Sequence, residues 1–495
     1  MQEDNRNPKL TRRELLRRAS VAAVVAGPLA SVLAACGQSA GSTPTAAVGG
    51  ASPSPSPSQA AASPSPSPTQ AAASASPSPS PSKPAASPTP AEITTGSGSV
   101  QIDWWHITTS GEGKDNWTKQ AQLFTKQHPN VSIKITILEN QAFKNKLATV
   151  MQSGSPPDVF QSWGGGVLGE YARAGLVKDI TADLQQNGWG DSFLQGPLDL
   201  YKIDGKYYGV PWQAGMVGFW YNKELFDKAG IKQLPTTWDE LLDVVKQLKA
   251  AGITPIALGE KDSWTGAFWW EYLALRVGGK EAFEKAYNRQ GSFADEPFVE
   301  AGRLLKQLVD LKPFQTGFLG ASYSDHQALM ANEKAAMELM GQWALIVDSG
   351  LAKKPEEFEK KLDWFPFPEV KGGAGKPTDA LGGADGFAIG KDAPPETIDF
   401  VRFLTRPELQ KQMGATGLAS LPTVKAAASS VKQPALRKIQ QALSKATYYQ
   451  LYYDQFLPPA TGAAVNDNTQ RLFAGTASPE DVAKAIEQVA ATELG

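Results

Sequence analysis

The residues best equipped for chemistry in this chain are its thirteen tryptophans. An indole offers a flat apolar face and one N–H donor, which suits a ligand carrying both apolar and polar surface. Trp163 stands directly before Gly164 and Gly165. There the ring can stack while the glycines let backbone amides approach a bound molecule; packing in a core is the other reading. Trp264, Phe268, Trp269 and Trp270 crowd one short segment, too many to face a single core direction. Asp385, in Gly382-Gly383-Ala384-Asp385-Gly386, is the carboxylate best suited to accept two hydroxyls, unless it serves a turn by bonding its own backbone.

Other chemistries are poorly supplied. Cys36 is the only cysteine among 495 residues, which leaves no intramolecular disulfide and no thiolate zinc cluster. His106, His128 and His326 are scattered and match no metal-ligand spacing, so neither a metal nor a cofactor is expected. His128 reads as exposed at a helix end and His326 as a helix N-terminal residue. Tyr448-Tyr449 and Tyr452-Tyr453 recur four apart on a stretch that reads as helical, which suits packing or ligand contact better than ferric iron. Gly37 to Gly41 satisfies G-x-S-x-G but lies in a Ser/Pro/Ala-rich stretch without strand-turn-helix context. Gly164-x-Gly166-x-x-Gly169 satisfies G-x-G-x-x-G, yet the helix after it is too short and no acidic residue follows on a second strand. With 48 basic against 50 acidic side chains and a net charge of −2, nothing recommends a nucleic acid as ligand.

The elements that must position these residues alternate between strand and helix from Val100 onward, which predicts an α/β fold. VQIDWW reads as a first strand and 115–127 as a helix. Val131, Ile133, Ile135 and Ile137 alternate with polar residues as a half-buried strand requires. A second helix spans 142–153, and Asp158-Val159-Phe160 opens the next strand. Thr237 with Glu240, and Thr405 with Glu408, have capping-box spacing, and Ser478-Pro479 opens a last helix.

The N-terminal 35 residues read as an export signal: a basic region with Arg12-Arg13, a short apolar core and small residues before Cys36. From Gly37 to about Gly98 the composition is too poor in apolar area to offset chain ordering, so a disordered stretch is expected, either a selected tether or filler.

Several strings then resemble one family. DWWH (103–106), PDVFQSWGGG (157–166), YARAGLVKDIT (171–181) and GKYYGVPWQAGMVGFWYNKELFDKAGI (205–231) are followed in order by PTTWDELLDVVKQLKAAGITPIALG (235–259), KAAMELMGQWAL (334–345) and LGGADGFAIG (381–390). FVRFLTRPELQKQMGATGLASLPTV (400–424) closes the series. Nearly the whole ordered chain resembles the family 1 extracellular solute-binding proteins, the carbohydrate-binding lipoproteins of ABC importers. The resemblance implies two α/β lobes joined by hinge strands, with ligand between them. Lobe 1 would hold 99–211 and 385–422, and lobe 2 would hold 212–384 and 423–495, the chain crossing near Pro211. Leu33-Ala34-Ala35-Cys36 resembles a lipobox, which implies a lipidated Cys36 holding the protein to the outer face of the cell membrane, and Arg12-Arg13 resembles a Tat signal.

On the same resemblance the site must accept a pyranose, with aromatics over its C–H face and polar groups around its rim. The loop at Trp105 and His106 reaches the cleft from lobe 1, and Trp163 follows the DVFQS strand. Trp212 and Gln213 sit at the hinge, as ligand contacts or as a packed pivot. At least one of Trp264, Phe268, Trp269 and Trp270 lines the cleft from lobe 2, and Trp343 matches a position that stacks on sugar. The implied protein is a monomeric, non-catalytic receptor that closes on a sugar and presents it to a permease. SWGGG and the dense aromatics suggest the branch handling plant-derived oligosaccharides. The competing readings are a secreted glycoside hydrolase and a ferric-iron or other small-solute receptor on the same scaffold.

Overall fold

The computed structural model describes residues 90–109 and 111–495. The export segment, Cys36 and the Ser/Pro/Ala-rich stretch as far as residue 89 lie outside them. The strands in chain order are β1 (Ala91–Thr95), β2 (Val100–His106), β3 (Val131–Ile137), β4 (Val159–Ser162), β5 (Lys202–Ile203), β6 (Lys206–Tyr207) and β7 (Gly209–Met216). They continue as β8 (Gly218–Asn222), β9 (Thr254–Ile256), β10 (Ala335–Met340), β11 (Leu362–Phe365), β12 (Ala380–Ile389), β13 (Leu421–Pro422) and β14 (Tyr449–Leu451).

Two sheets organise two α/β lobes. The larger runs β1-β3-β2-β4-β12-β7-β13, with β14 beside β12, and the smaller runs β11-β8-β10-β9. The alternation in β3 predicts one wet face. In the fold only Lys134 of that strand is partly exposed, because neighbouring elements cover both faces, as is usual where parallel strands pair. β2 is parallel to β3 and β4, whereas β1 adds antiparallel to β3 at the sheet edge. β1 overturns the expectation that unstructured chain extends to residue 98.

Other local expectations shift for physical reasons. The helix read as 115–127 begins at Gly111. Thr237 and Glu240 form a complete capping box, but Thr405 and Glu408 do not. Pro407 starts that helix with Arg406 as cap, and the Thr405 hydroxyl donates back to Val401 O. The tyrosine stretch is not one helix: β14 ends at Leu451 and a single short turn covers Tyr453–Phe456. His128 is half-buried against Phe124, with ring centroids 4.1 Å apart. His326 lies inside helix Tyr323–Ala331, fully buried.

The lobes meet on two long strands. β7 belongs wholly to the larger sheet and β8 to the smaller, so the chain passes between sheets at Val217 rather than near Pro211. Helix Trp264–Tyr287 grips this crossing: Tyr272 Oη donates to Val217 O at 2.7 Å and accepts from Leu381 N at 3.2 Å. One turn further on, Arg276 is buried and its guanidinium donates to the carbonyls of Pro368, Asp379, Phe367 and Pro377. It thereby ties down the connection between β11 and β12. Its charged plane lies over Tyr272, 5.1 Å from that ring's centroid, so the cation is satisfied by carbonyl dipoles and π-electrons.

Candidate functional site

The floor of the site is built where β7 and β12 pair. Their register shifts between Asp385, which faces Gln213, and Gly386, which faces Pro211, leaving Trp212 as an extra residue on β7. A bulge re-aims side chains beside a site, and here the consecutive residues Trp212 and Gln213 both line the cavity. Two phenols flank Asp385 and steady the irregular strands. Tyr201 Oη donates to Ser162 O at 2.6 Å with Ala384 O at 3.0 Å. Tyr449 Oη donates to Gly215 O at 2.7 Å with Gly383 O at 2.9 Å. Gly383 has to be glycine, since a Cβ there would lie 2.5 Å from the Tyr452 ring.

Asp385 is 8% exposed and accepts from Gln161 Nε2 at 2.9 Å and Gln213 Nε2 at 2.7 Å. The Trp163 indole N–H reaches the same carboxyl. Gln213 is itself fixed, because its Oε1 accepts from Ser420 N. Among the described residues no cation pairs with this carboxyl. Burial pushes Asp385 up from 3.8 to about 6, against the pull of its three donors.

The sign of the resulting pH effect follows directly. A folded-state value above the unfolded one means that the charged form disfavours folding, by about 3 kcal/mol well above pH 6. That cost is recovered as pH falls through 6 towards 4. Comparing thermal unfolding of the wild type with Asp385→Asn from pH 7.5 to 4.5 should show the two melting temperatures converging on acidification. A constant gap would contradict the assignment.

The walls are aromatic. Trp264 and Phe268 are one helical turn apart on helix Trp264–Tyr287 and line the cavity with Trp343 and Tyr323. Trp264 packs edge-on against Tyr323 at 4.8 Å, and Trp343 lies 6.5 Å from Trp264. Gly341 makes room for this: a Cβ there would lie 2.1 Å from the Trp343 ring. Opposite, Trp163 packs on Phe143 and carries Lys144 Nζ 5.2 Å from its ring centroid. Lys144 also pairs with Asp454 at 2.7 Å, joining helix Asn140–Gln152 to Tyr453–Phe456. The cavity measures about 180 Å³.

The structure thus brings together Trp163, Trp212, Gln213, Trp264, Phe268, Trp343 and Asp385 from the sequence reading. It does not bring the others. Trp269 is fully buried in the lobe 2 core against Phe219, since it lies one position round the helix from Phe268. Trp105 is buried in a core cluster with Phe143 and Phe160, under Lys146, and donates to Asp103. His106 is buried, its imidazole pushed down to about 3 by desolvation and by Lys114. The neutral ring accepts from Thr108 N at 3.2 Å and so holds the loop that carries Thr108 to the cavity rather than touching it. Gly164 and Gly165 spend their amides internally, on Ser162 Oγ and Leu200 O.

Sequence reading missed Lys144, Gln161, Tyr323 and Asp454, while Tyr452, read as packing or ligand contact, lines the cavity. Only Gln161, two residues before Trp163 on the same strand, carried a local signal. The tyrosine pairs do not converge as iron ligands: Tyr449 donates to backbone and Tyr448 to Gln450. Burial pushes all four phenols up, away from the tyrosinate form. Among the described residues, no group of three His, Cys, Asp or Glu side chains is arranged to hold a metal ion.

Fold and site together define a two-lobed ligand-binding protein. Residues 108–411 match the bacterial extracellular solute-binding protein family, and the chain belongs to that family. It is 30% identical over 258 residues to the multiple sugar-binding protein of Streptococcus mutans, a match covering 51% of this chain and 59% of that one. The chain thus spans little more than half the length of the first curated relatives it matches. A structure from work on xylan utilisation by the thermophilic bacterium Caldanaerobius polysaccharolyticus aligns with a TM-score of 0.73 at 29% identity, covering 79% of this chain and 99% of that one. A chitin oligosaccharide binding protein aligns equally well, with a TM-score of 0.73 at 26% identity over 80% and 99% of the two chains.

Proposed function

We propose that this protein is the extracellular receptor of an ABC importer for a sugar, specifically an oligosaccharide, and that it binds without catalysing turnover. The observation that carries this reading is the convergence of Trp163, Trp264 and Trp343 on one cavity floored by Asp385, Gln161 and Gln213. Rings offer faces to pyranose C–H groups while a buried carboxylate accepts hydroxyls. Relatives and neighbours named for sugar, xylan and chitin oligosaccharides support the same class. On this reading the two jaws are built on the larger and the smaller sheet and hinge where the chain passes between them at Val217. Leu33-Ala34-Ala35-Cys36 directs lipidation at Cys36, so the exported monomer stays at the outer membrane face and passes ligand to its permease.

Closure has to be driven by contacts that span both lobes, because a ligand touching one lobe alone shifts nothing. Calorimetry of the purified protein against xylo-, chito- and malto-oligosaccharides should give micromolar binding to at least one series, about 8 kcal/mol. Mass spectrometry of the same mixtures should return intact sugar. Absence of heat with every saccharide would end the sugar reading, and cleaved products would favour the hydrolase.

A further inference from the structure

Behind the Trp343 wall lie three ionisable side chains shut off from water. Glu338 in β10, Asp348 in helix Ala344–Leu351 and His326 in helix Tyr323–Ala331 are all fully buried. His326 Nε2 stands 2.7 Å from Glu338 Oε2, and the Asp348 carboxyl faces Glu338 within hydrogen-bonding reach. Among the described residues no N–H or O–H, the nearby His326 imidazole included, makes a hydrogen bond to either carboxyl. Two bare carboxylates in contact, with at most one imidazolium beside them, are too costly to bury without a shared proton.

We propose that Asp348 holds a proton and donates it to Glu338, and that the resulting Asp348–Glu338–His326 chain positions Trp343 for ligand binding. Glu338 lies on the strand before the Gly341-Gln342-Trp343 turn and Asp348 on the helix after it, so the hydrogen bond between them closes the base of that turn. The same chain reaches the second aromatic of the wall. His326 and Tyr323 share one helix, Tyr323 faces both carboxyls, and Trp343 Nε1 donates to Tyr323 Oη at 2.9 Å. Burial and the adjacent Glu338 charge hold the Asp348 carboxyl well above its ordinary range, in keeping with a protonated side chain at neutral pH. These residues touch no ligand; they act through Trp343 and Tyr323.

The affinity part of the test rests on the proposed sugar reading, and the spectroscopic part does not. Infrared difference spectra of the full chain at pH 7, wild type minus Asp348→Asn, should show loss of one protonated-carboxyl band. The difference is needed because Glu260 and Glu271 are also buried acids pushed well up by desolvation. Asn can donate the same hydrogen bond, so Asp348→Asn should keep wild-type affinity and leave the Trp343 resonance unmoved in fluorine NMR of fluorotryptophan-labelled protein, assigned with Trp343→Phe. Asp348→Ala should shift that resonance and weaken binding about tenfold. Absence of the band in wild type, or an unmoved Trp343 resonance in Asp348→Ala, overturns the proposal even if sugar binds normally. A lost band and a shifted resonance with no saccharide bound would sustain the chain and overturn the receptor reading instead.

Discussion

In the proposed sugar site, Asp385→Asn is expected to lose roughly 100-fold in affinity at pH 7.5, measured by calorimetry, while the ligand-free protein melts at a higher temperature. The two effects have one origin. The carboxylate sits desolvated on β12 with Gln161, Gln213 and Trp163 as its donors and, among the described residues, no cation paired with it. Hydrogen bonds to a charged acceptor are worth about 1.5–3 kcal/mol each, so a neutral amide forfeits most of what a ligand hydroxyl would gain. Freed of a buried charge, the apo fold should gain about 1–2 kcal/mol. Unchanged affinity would show that ligand bypasses the floor of the cavity. A fall in apo melting temperature would show that the three donors outweigh desolvation.

The second large effect falls on stability. Arg276→Ala should destabilise the protein by about 3–5 kcal/mol in denaturant unfolding, and should loosen the hinge as well as lobe 2. The substitution strips donors from the carbonyls of Phe367, Pro368, Pro377 and Asp379 and leaves them in a dry interior. Arg276→Lys restores a charge but not the planar fork, so it should recover less than half of the loss. An Ala variant as stable as wild type would mean that water replaces the guanidinium at little cost.

What the sequence could disclose depended on whether the signal was local. β2, β3 and the Thr237 capping box announce themselves within a few residues. Trp163 and Asp385 stood out through their glycine-rich surroundings, and Trp343 through family resemblance. Trp269 could not be separated from Phe268, because the helix around them is apolar on every side and only the packed neighbours decide which face meets the cavity. The pairing of Lys144 with Asp454 joins positions 310 residues apart, beyond any periodicity. The Trp212 bulge depends on register against β12, which no single strand encodes. β1 was hidden for a similar reason: AEITT follows a Ser/Pro-rich stretch, and its partner among the described residues, β3, lies some 40 residues downstream.

That small strand decides where the protein can be cut. Its five residues shield the outer rim of β3, and Glu92 pairs across it with Lys134 at 3.0 Å. A cut just before Pro90 would leave 90–495 with the larger sheet intact and the described lining of the cavity in place. A cut a few residues later, before Ser99, would strip the guard from β3 and leave a row of unpaired amides and carbonyls, an open template on which two cut molecules could zip together.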